Sequence, residues 1–96
     1  MEYKELFHPK FKQDLKKIDK LVVKEIKDTH LDIILKNPYI ANPLKGKLSN
    51  IRSYHFRKNR VEYRIAYEVL EDNRVIFYYM VVVRENFYSK LDTRVK

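Results

Sequence analysis

Two arginines and a tyrosine near the end of the chain have the chemistry of a phosphate-binding site. Residues 61–69 alternate strictly between apolar and polar side chains, which predicts a half-buried β-strand with Arg64 on its polar face. The apolar run 75–83 follows as a second strand and ends directly before Arg84, with Tyr88 a little further along. Guanidinium groups on rigid strands can bind phosphate oxygens, and a tyrosine ring can stack on a base. The pattern therefore favours a polyanion with stackable bases, with RNA as the first candidate.

The pairing of these two strands decides whether the arginines share a face. If a three-residue turn places Leu70 opposite Arg74, then Arg64 lies opposite Met80, and even-numbered residues of both strands share one face. This register would put Arg64 and Arg84 on the same side of the sheet. A turn of two or four residues would put them on opposite sides, and the sequence does not determine the turn.

The composition favours an anionic partner. The chain has 21 lysine and arginine residues against 13 aspartates and glutamates, a formal net charge of +8, and neutralising phosphates would release counterions. It has no cysteine, which excludes disulfides and thiolate chemistry and fits a reducing compartment. No apolar leader stands at the amino end, and the run 75–83 is too short to span a bilayer. We therefore expect a cytoplasmic protein without a membrane partner.

Hydrophobic periodicity predicts an α+β fold in a single domain, residues 1–96. The expected order is β-α-α-β-β-β, with two amino-terminal helices packed on one face of a small, mainly antiparallel sheet. Apolar residues recur at helical spacing in two segments, and a proline closes the second. The predicted elements are a strand over 2–7, helices over 9–19 and 20–36, and strands over 51–57, 61–69 and 75–83.

These residues together resemble the RelE/ParE superfamily of toxins from type II toxin–antitoxin systems. The resemblance covers essentially the whole chain and includes the loop 44–46, the strand segment 63–67 (Tyr-Arg-Ile-Ala-Tyr) and the ending 83–88 (Val-Arg-Glu-Asn-Phe-Tyr). The ending resembles the mRNA-cleaving RelE and HigB branches. The resemblance implies a RelE-like microbial RNase fold and cleavage of mRNA in the ribosomal 30S A site. In that reaction the ribose 2′-hydroxyl attacks the adjacent phosphate without a metal or cofactor.

The resemblance also implies roles for individual residues. Arg64 matches the arginine that stabilises the phosphate. Arg84 matches the arginine proposed as phosphate ligand or general acid, of which charge stabilisation is the safer role. Tyr88 resembles the tyrosine that stacks on or orients the nucleotide, a place that Phe87 could share or take. Where RelE has two lysines on the preceding strand, this chain has Ser53 and His55. A histidine titrates near working pH and could act as general base.

Several alternatives stay open at this point. Glu62 or Glu68 could replace His55 as the base, and the residues expected to hold the RNA backbone are Lys45, Lys47, Arg57 and Lys58. The family implies a cognate antitoxin, mRNA, the ribosome and its rRNA as partners. Two other functions fit the same chain: a ParE-like poison of DNA gyrase without nuclease activity, and a basic RNA-binding protein without catalysis.

Overall fold

The computed structural model describes residues 2–96, which form five strands and four α-helices. In chain order these are β1 (Lys4–Phe7), α1 (Phe11–Lys16), α2 (Lys20–Glu25), α3 (Leu31–Lys36), β2 (Asn42–Pro43), β3 (Arg52–Lys58), β4 (Val61–Leu70), β5 (Val75–Val83) and α4 (Phe87–Arg94). A π-helical turn, Ile26–His30, joins α2 to α3 without a break, so the helix predicted over 20–36 is confirmed. None of the helices in residues 2–96 is long and apolar enough to cross a membrane.

The strands form one mixed sheet in the order β1-β5-β4-β3-β2. β1 pairs in parallel with β5, and the other neighbours are antiparallel. The amino-terminal helices pack on one face, where the core includes Ile26, Ile34, Tyr67 and Tyr78. β5 has neighbours on both sides and buries residues on both faces, which explains its continuous apolar sequence.

The sequence predictions missed two elements, the short strand β2 and the carboxy-terminal helix α4. α4 packs on the sheet face opposite the other helices, so the predicted two-layer arrangement becomes three layers. Phe87 and Leu91 of α4 are fully buried against Ala66 and Met80 of the sheet. This contact covers a face that would otherwise expose apolar side chains to water.

A buried histidine ties the long helical segment to β3. His30 ends the π-helical turn, stacks on Phe56 with ring centroids 3.8 Å apart, and makes hydrogen bonds of 2.8 Å with the Tyr54 hydroxyl and the Glu25 carboxylate. Glu25 also pairs with Lys58 at 3.2 Å. Tyr54, Phe56 and Lys58 therefore lie on the helix-facing side of β3, and alternation places the residues between them on the other side.

The register between β4 and β5 differs from the three-residue-turn alternative, yet Arg64 and Arg84 still lie on the same side of the sheet. Leu70 pairs with Val75, so the turn contains four residues rather than three. A β-bulge opposite Ala66/Tyr67 then shifts the register by one residue, and Arg64 lies opposite Val82 rather than Met80. The four-residue turn alone would have separated the arginines; the bulge returns them to the same face.

Candidate active site

Antiparallel pairing brings His55, Arg64 and Arg84 together on the face of the sheet that α4 partly covers. His55 lies directly opposite Arg64 across β3 and β4, and Val82 of β5 flanks Arg64 on the other side. Arg84 follows directly after β5 and lies close enough to Glu62 for its charge to act on that carboxylate. Three side chains that the sequence analysis assigned to chemistry therefore converge at one end of the sheet.

Glu62 lies at the centre of this cluster. Its carboxylate accepts a hydrogen bond of 3.0 Å from Arg64 Nε, and Arg57 Nη1 lies 3.9 Å from its other oxygen. The hydrogen bond from Arg64 is the main cause of the lowered pKa of Glu62, and the charges of Arg64, Arg84 and His55 lower it further. Glu62 is thus ionised at neutral pH and compensates only part of the surrounding positive charge. A carboxyl with a lowered pKa is also a weak base, which favours His55 for proton abstraction.

Arg64 is held in place from two directions. Glu62 engages Nε, and the guanidinium carbon lies 5.4 Å from the centroid of the Phe87 ring, a cation–π contact. The Arg64 side chain is 19% exposed. Within residues 2–96 no hydrogen bond engages its two terminal nitrogens, so both remain available for the oxygens of a phosphate.

Tyr88 and Phe87 separate clearly in the structure. Phe87 is fully buried beneath Arg64, so the expectation that it binds RNA or takes the place of Tyr88 is wrong. Its ring is covered by the packing of α4 on the sheet and is closed to a base. Tyr88 is 60% exposed and contacts the edge of the Phe87 ring, at a centroid distance of 5.1 Å. Only Tyr88 of this pair can offer a ring face to a nucleotide.

The lysines expected to hold RNA fall into two groups. Lys45 and Lys47 are exposed on the loop between β2 and β3, and the neighbouring Leu44 and Leu48 pack into the apolar cluster beneath α4. They therefore lie on the same side of the sheet as Arg64. Lys58 lies on the opposite, helix-facing side, where it pairs with Glu25 at 3.2 Å, so the structure does not bring it together with Arg64.

Ser53 and Glu68 are poor candidates for the base. The Ser53 hydroxyl is buried and, within residues 2–96, has no hydrogen-bond partner, so it has no access to a substrate. Glu68 accepts a hydrogen bond of 2.8 Å from the Tyr79 hydroxyl. Along an extended strand, Glu68 is about 13 Å from Arg64, which is too far to act on the same phosphate.

Sequence reasoning also missed the contacts that position α4. Phe87, Leu91 and Val95 recur every four residues, and all three pack into the cluster beneath α4, so this spacing was the available signal. Asp14 and Arg94 form a buried ion pair between α1 and α4, with two hydrogen bonds of 2.8 and 2.9 Å. No local pattern indicates that these distant residues meet.

Comparison with known proteins agrees with this architecture. A family model described as ParE-like toxin of type II bacterial toxin–antitoxin systems matches residues 6–92. A search of curated proteins found no match.

Solved structures of RelE toxins share the fold over most of the chain. A doubly substituted E. coli RelE toxin in the free state is 25% identical over the full length of both chains, with a TM-score of 0.79. RelE in the intact E. coli RelBE toxin–antitoxin complex is 26% identical over 82% of this chain and 93% of that one, with a TM-score of 0.70. A chain of the RelBE2 toxin–antitoxin complex of Mycobacterium tuberculosis is 18% identical to this protein, with a TM-score of 0.71. The alignment covers 88% of this chain and 100% of the Mycobacterium tuberculosis chain. The family match over residues 6–92 identifies this protein as a member of the ParE-like toxin family of type II toxin–antitoxin systems, with a RelE-like fold.

Proposed function

We propose that this toxin is a ribosome-dependent endoribonuclease that cleaves mRNA in the A site and so inhibits translation. The observation that carries the proposal is the pairing of His55 with Arg64 on a surface that also holds Arg84. This arrangement offers a group that can accept a proton beside two fixed positive charges. Transfer of a phosphate ester to a neighbouring hydroxyl needs both.

In the proposed reaction, the neutral His55 imidazole accepts the proton of the ribose 2′-hydroxyl. The 2′-oxygen then forms a bond to the adjacent phosphorus, and the terminal nitrogens of Arg64 stabilise the additional negative charge on the phosphate oxygens. Arg84 contributes a second positive charge. It is not assigned the role of general acid, because an arginine is a poor proton donor at its usual pKa. The bond from phosphorus to the 5′-oxygen breaks, and that oxygen takes a proton from water. The resulting hydroxide takes the proton held by His55, which returns the imidazole to its neutral form. The products are a 2′,3′-cyclic phosphate and a 5′-hydroxyl.

Tyr88 and the exposed cations would bind the substrate around this centre. The Tyr88 ring can stack on a base and so fix the ribose beside His55. Arg57, Lys45 and Lys47 lie on the same side and would contact backbone phosphates of mRNA or rRNA. In this role they raise affinity without reading sequence.

A cognate antitoxin is the partner expected for this toxin. The similar RelE chains include one in an intact RelBE complex and one bound to a RelB peptide. We propose that an antitoxin likewise holds this toxin inactive until translation is to be arrested.

The decisive experiment adds the purified protein to a reconstituted translation system and maps new mRNA 5′ ends by primer extension. Cuts within translated codons should appear with the native protein. The rate of cutting should fall by about 10²–10³-fold for Arg64→Ala, since the variant lacks a positive charge that stabilises the transition state. Arg84→Ala and His55→Ala should also be strongly impaired. Lys20→Ala, which removes an exposed charge at the start of α2, serves as the control and should retain activity.

Three results would count against the proposal. Intact mRNA with unimpaired translation would exclude the nuclease, and inhibition of DNA gyrase by the same preparation would establish the ParE-like alternative. Binding of RNA without any cleavage would instead identify a non-catalytic RNA-binding protein.

A further inference from the structure

A basic cleft runs along the outer edge of β5, between α1 and α4. β1 pairs with β5 only as far as Tyr78, so the edge beyond that residue has no neighbouring strand. Asp14 and Arg94 supply the missing backbone partners: Asp14 accepts a hydrogen bond from the Val81 amide at 3.2 Å, and Arg94 donates one to the Tyr79 carbonyl at 2.7 Å. The ion pair thus forms the floor of the cleft and leaves the space above it open.

Two adjoining cavities make up the cleft and lead to the candidate active site. The larger has a volume of about 420 Å³ and lies between the start of α1 and the last turn of α4. The smaller, of about 170 Å³, follows β5 as far as Val83 and Asn86. Lys17 and Lys90 line both cavities, and Asn86 belongs to the same short turn as Arg84. The cleft and the Arg84 side of the site are therefore continuous.

The cleft carries uncompensated positive charge. Among its described lining residues the acidic one is Asp14, which already pairs with Arg94, and the lining residue Lys96 pairs with Asp92 at 3.8 Å. Among the described residues, no carboxylate lies within ion-pairing distance of Lys10, Lys17 or Lys90. Partial burial, followed by the charges of Arg94 and Lys10, lowers the pKa of His8. The lining thus strongly favours an anion.

The other side chains of the larger cavity indicate which anion. All of its lining residues are polar, and they include the amide of Gln13 and the hydroxyls of Ser89 and Thr93. A protein segment is usually anchored by apolar side chains in apolar pockets, and the larger cavity has none among its lining residues. The smaller cavity combines polar residues with Ile18 and residues 81–83 of β5. Lysine, glutamine, serine and threonine side chains are instead the usual contacts of phosphates and sugars.

We propose that this cleft binds the phosphate backbone of the single-stranded RNA that continues from the cleavage site. The inference rests on the proposed function for the identity of the RNA, and it adds a second contact surface to the site. The edge of β5 from Tyr79 to Val83 is about 13 Å long, so the cleft is long enough to contact more than one nucleotide of the RNA. Lys17 and Lys90 pair with successive phosphates of the RNA, and Arg84 binds the phosphate where the RNA enters the active site.

The test measures binding of a fluorescent, uncleavable 2′-O-methyl RNA by anisotropy at several salt concentrations. The double variant Lys17→Gln/Lys90→Gln loses two phosphate contacts, so the slope of log affinity against log salt should fall by about 1.4. At about 0.1 M salt this corresponds to an affinity roughly 25-fold weaker. A trinucleotide, which occupies only the active site, should bind the native protein and the double variant equally.

Lys16→Gln/Lys20→Gln is the matched control, because it removes the same charge from the exposed side of α1 and α2. The control should lose far less affinity for the long RNA than the cleft variant does. Circular dichroism of each variant verifies that the fold is retained, as expected for exposed or half-buried lysines.

Equal losses in the cleft and control variants would overturn the proposal, since net charge alone would then explain binding. Loss of affinity for an antitoxin peptide with unchanged RNA binding would assign the cleft to a protein partner and would also overturn it. Because the assay needs no cleavage, its result is separate from that of the translation experiment. An inactive protein whose RNA binding depends on Lys17 and Lys90 would refute the nuclease and leave the cleft assignment standing.

Discussion

The ion pair between Asp14 and Arg94 should make the protein strongly sensitive to the loss of either partner, because the remaining charge would be buried without compensation. The side chains of Asp14 and Arg94 are only 4% and 9% exposed, and the pair joins α1 to α4 across the edge of β5. We consider the variants Asp14→Leu and Arg94→Met and the double variant that combines them. Each single variant leaves one charge buried without its partner, whereas the double variant leaves neither.

The structure allows the size of each effect to be worked out. Removing one partner of a buried ion pair costs roughly 3–5 kcal/mol of unfolding free energy. A domain of this length has about 5–14 kcal/mol in total, so each single variant should lose roughly a fifth of it or more. The melting temperature should fall by at least about 12 °C, at roughly 4–8 °C per kcal/mol. The double variant should lose less than the sum, because its remaining cost is the unpaired Val81 amide and Tyr79 carbonyl, about 1–3 kcal/mol each.

Urea denaturation followed by circular dichroism measures all four proteins under one condition. A coupling free energy of about 1.5–3 kcal/mol between the two substitutions is expected from direct contact. The expected penalty for an unpaired buried charge would be refuted if each single variant lost less than about 1 kcal/mol of unfolding free energy and the two losses added in the double variant. That result would show that solvent screens the pair as it does at a protein surface. A change in the slope of unfolding free energy against urea would indicate that the substitution alters the compactness of the folded or unfolded state, or that unfolding is no longer two-state.

Three further predictions concern the surroundings of the active site. Glu62 has a folded-state pKa below its usual 4.5, so its contribution to stability is present above pH 4.5 and is lost as the pH falls through the folded-state pKa. In Glu62→Gln the melting temperature should therefore fall less steeply at acid pH than in the native protein. An unchanged acid dependence would contradict this role of Glu62. Phe87→Ala should lose about 3–5 kcal/mol in chemical denaturation, whereas Phe87→Leu, which keeps most of the volume, should lose distinctly less. Gly46 has a φ of +70° and open space around its Cα, so Gly46→Ala should cost about 1–2 kcal/mol through backbone strain alone; a neutral result would show that the loop relaxes.

Local periodicity in the sequence was sufficient to predict most of the fold. Strict alternation predicted β4 and put Arg64 on its polar face. Helical spacing followed by a proline predicted the helical segment 20–36. These features depend on which side chains must avoid water, and that requirement is met one element at a time. The same periodicity placed Arg64, His55 and Arg84 on or beside strands, whereas the roles expected of them came from the resemblance to RelE toxins.

The tertiary structure decided what depends on contacts between distant segments. The register that brings Arg84 to the Arg64 side combines a four-residue turn with a β-bulge, and neither has a signal in the local sequence. The burial of Phe87 and the placement of Lys58 on the opposite face follow from what α4 and α2 contact. The cleft along β5 exists because β1 is short and a side-chain ion pair takes over its hydrogen bonds. The sequence thus determined which residues face water or the core, whereas long-range packing determined which of them meet, because the free energy of each contact depends on partners far away in the chain.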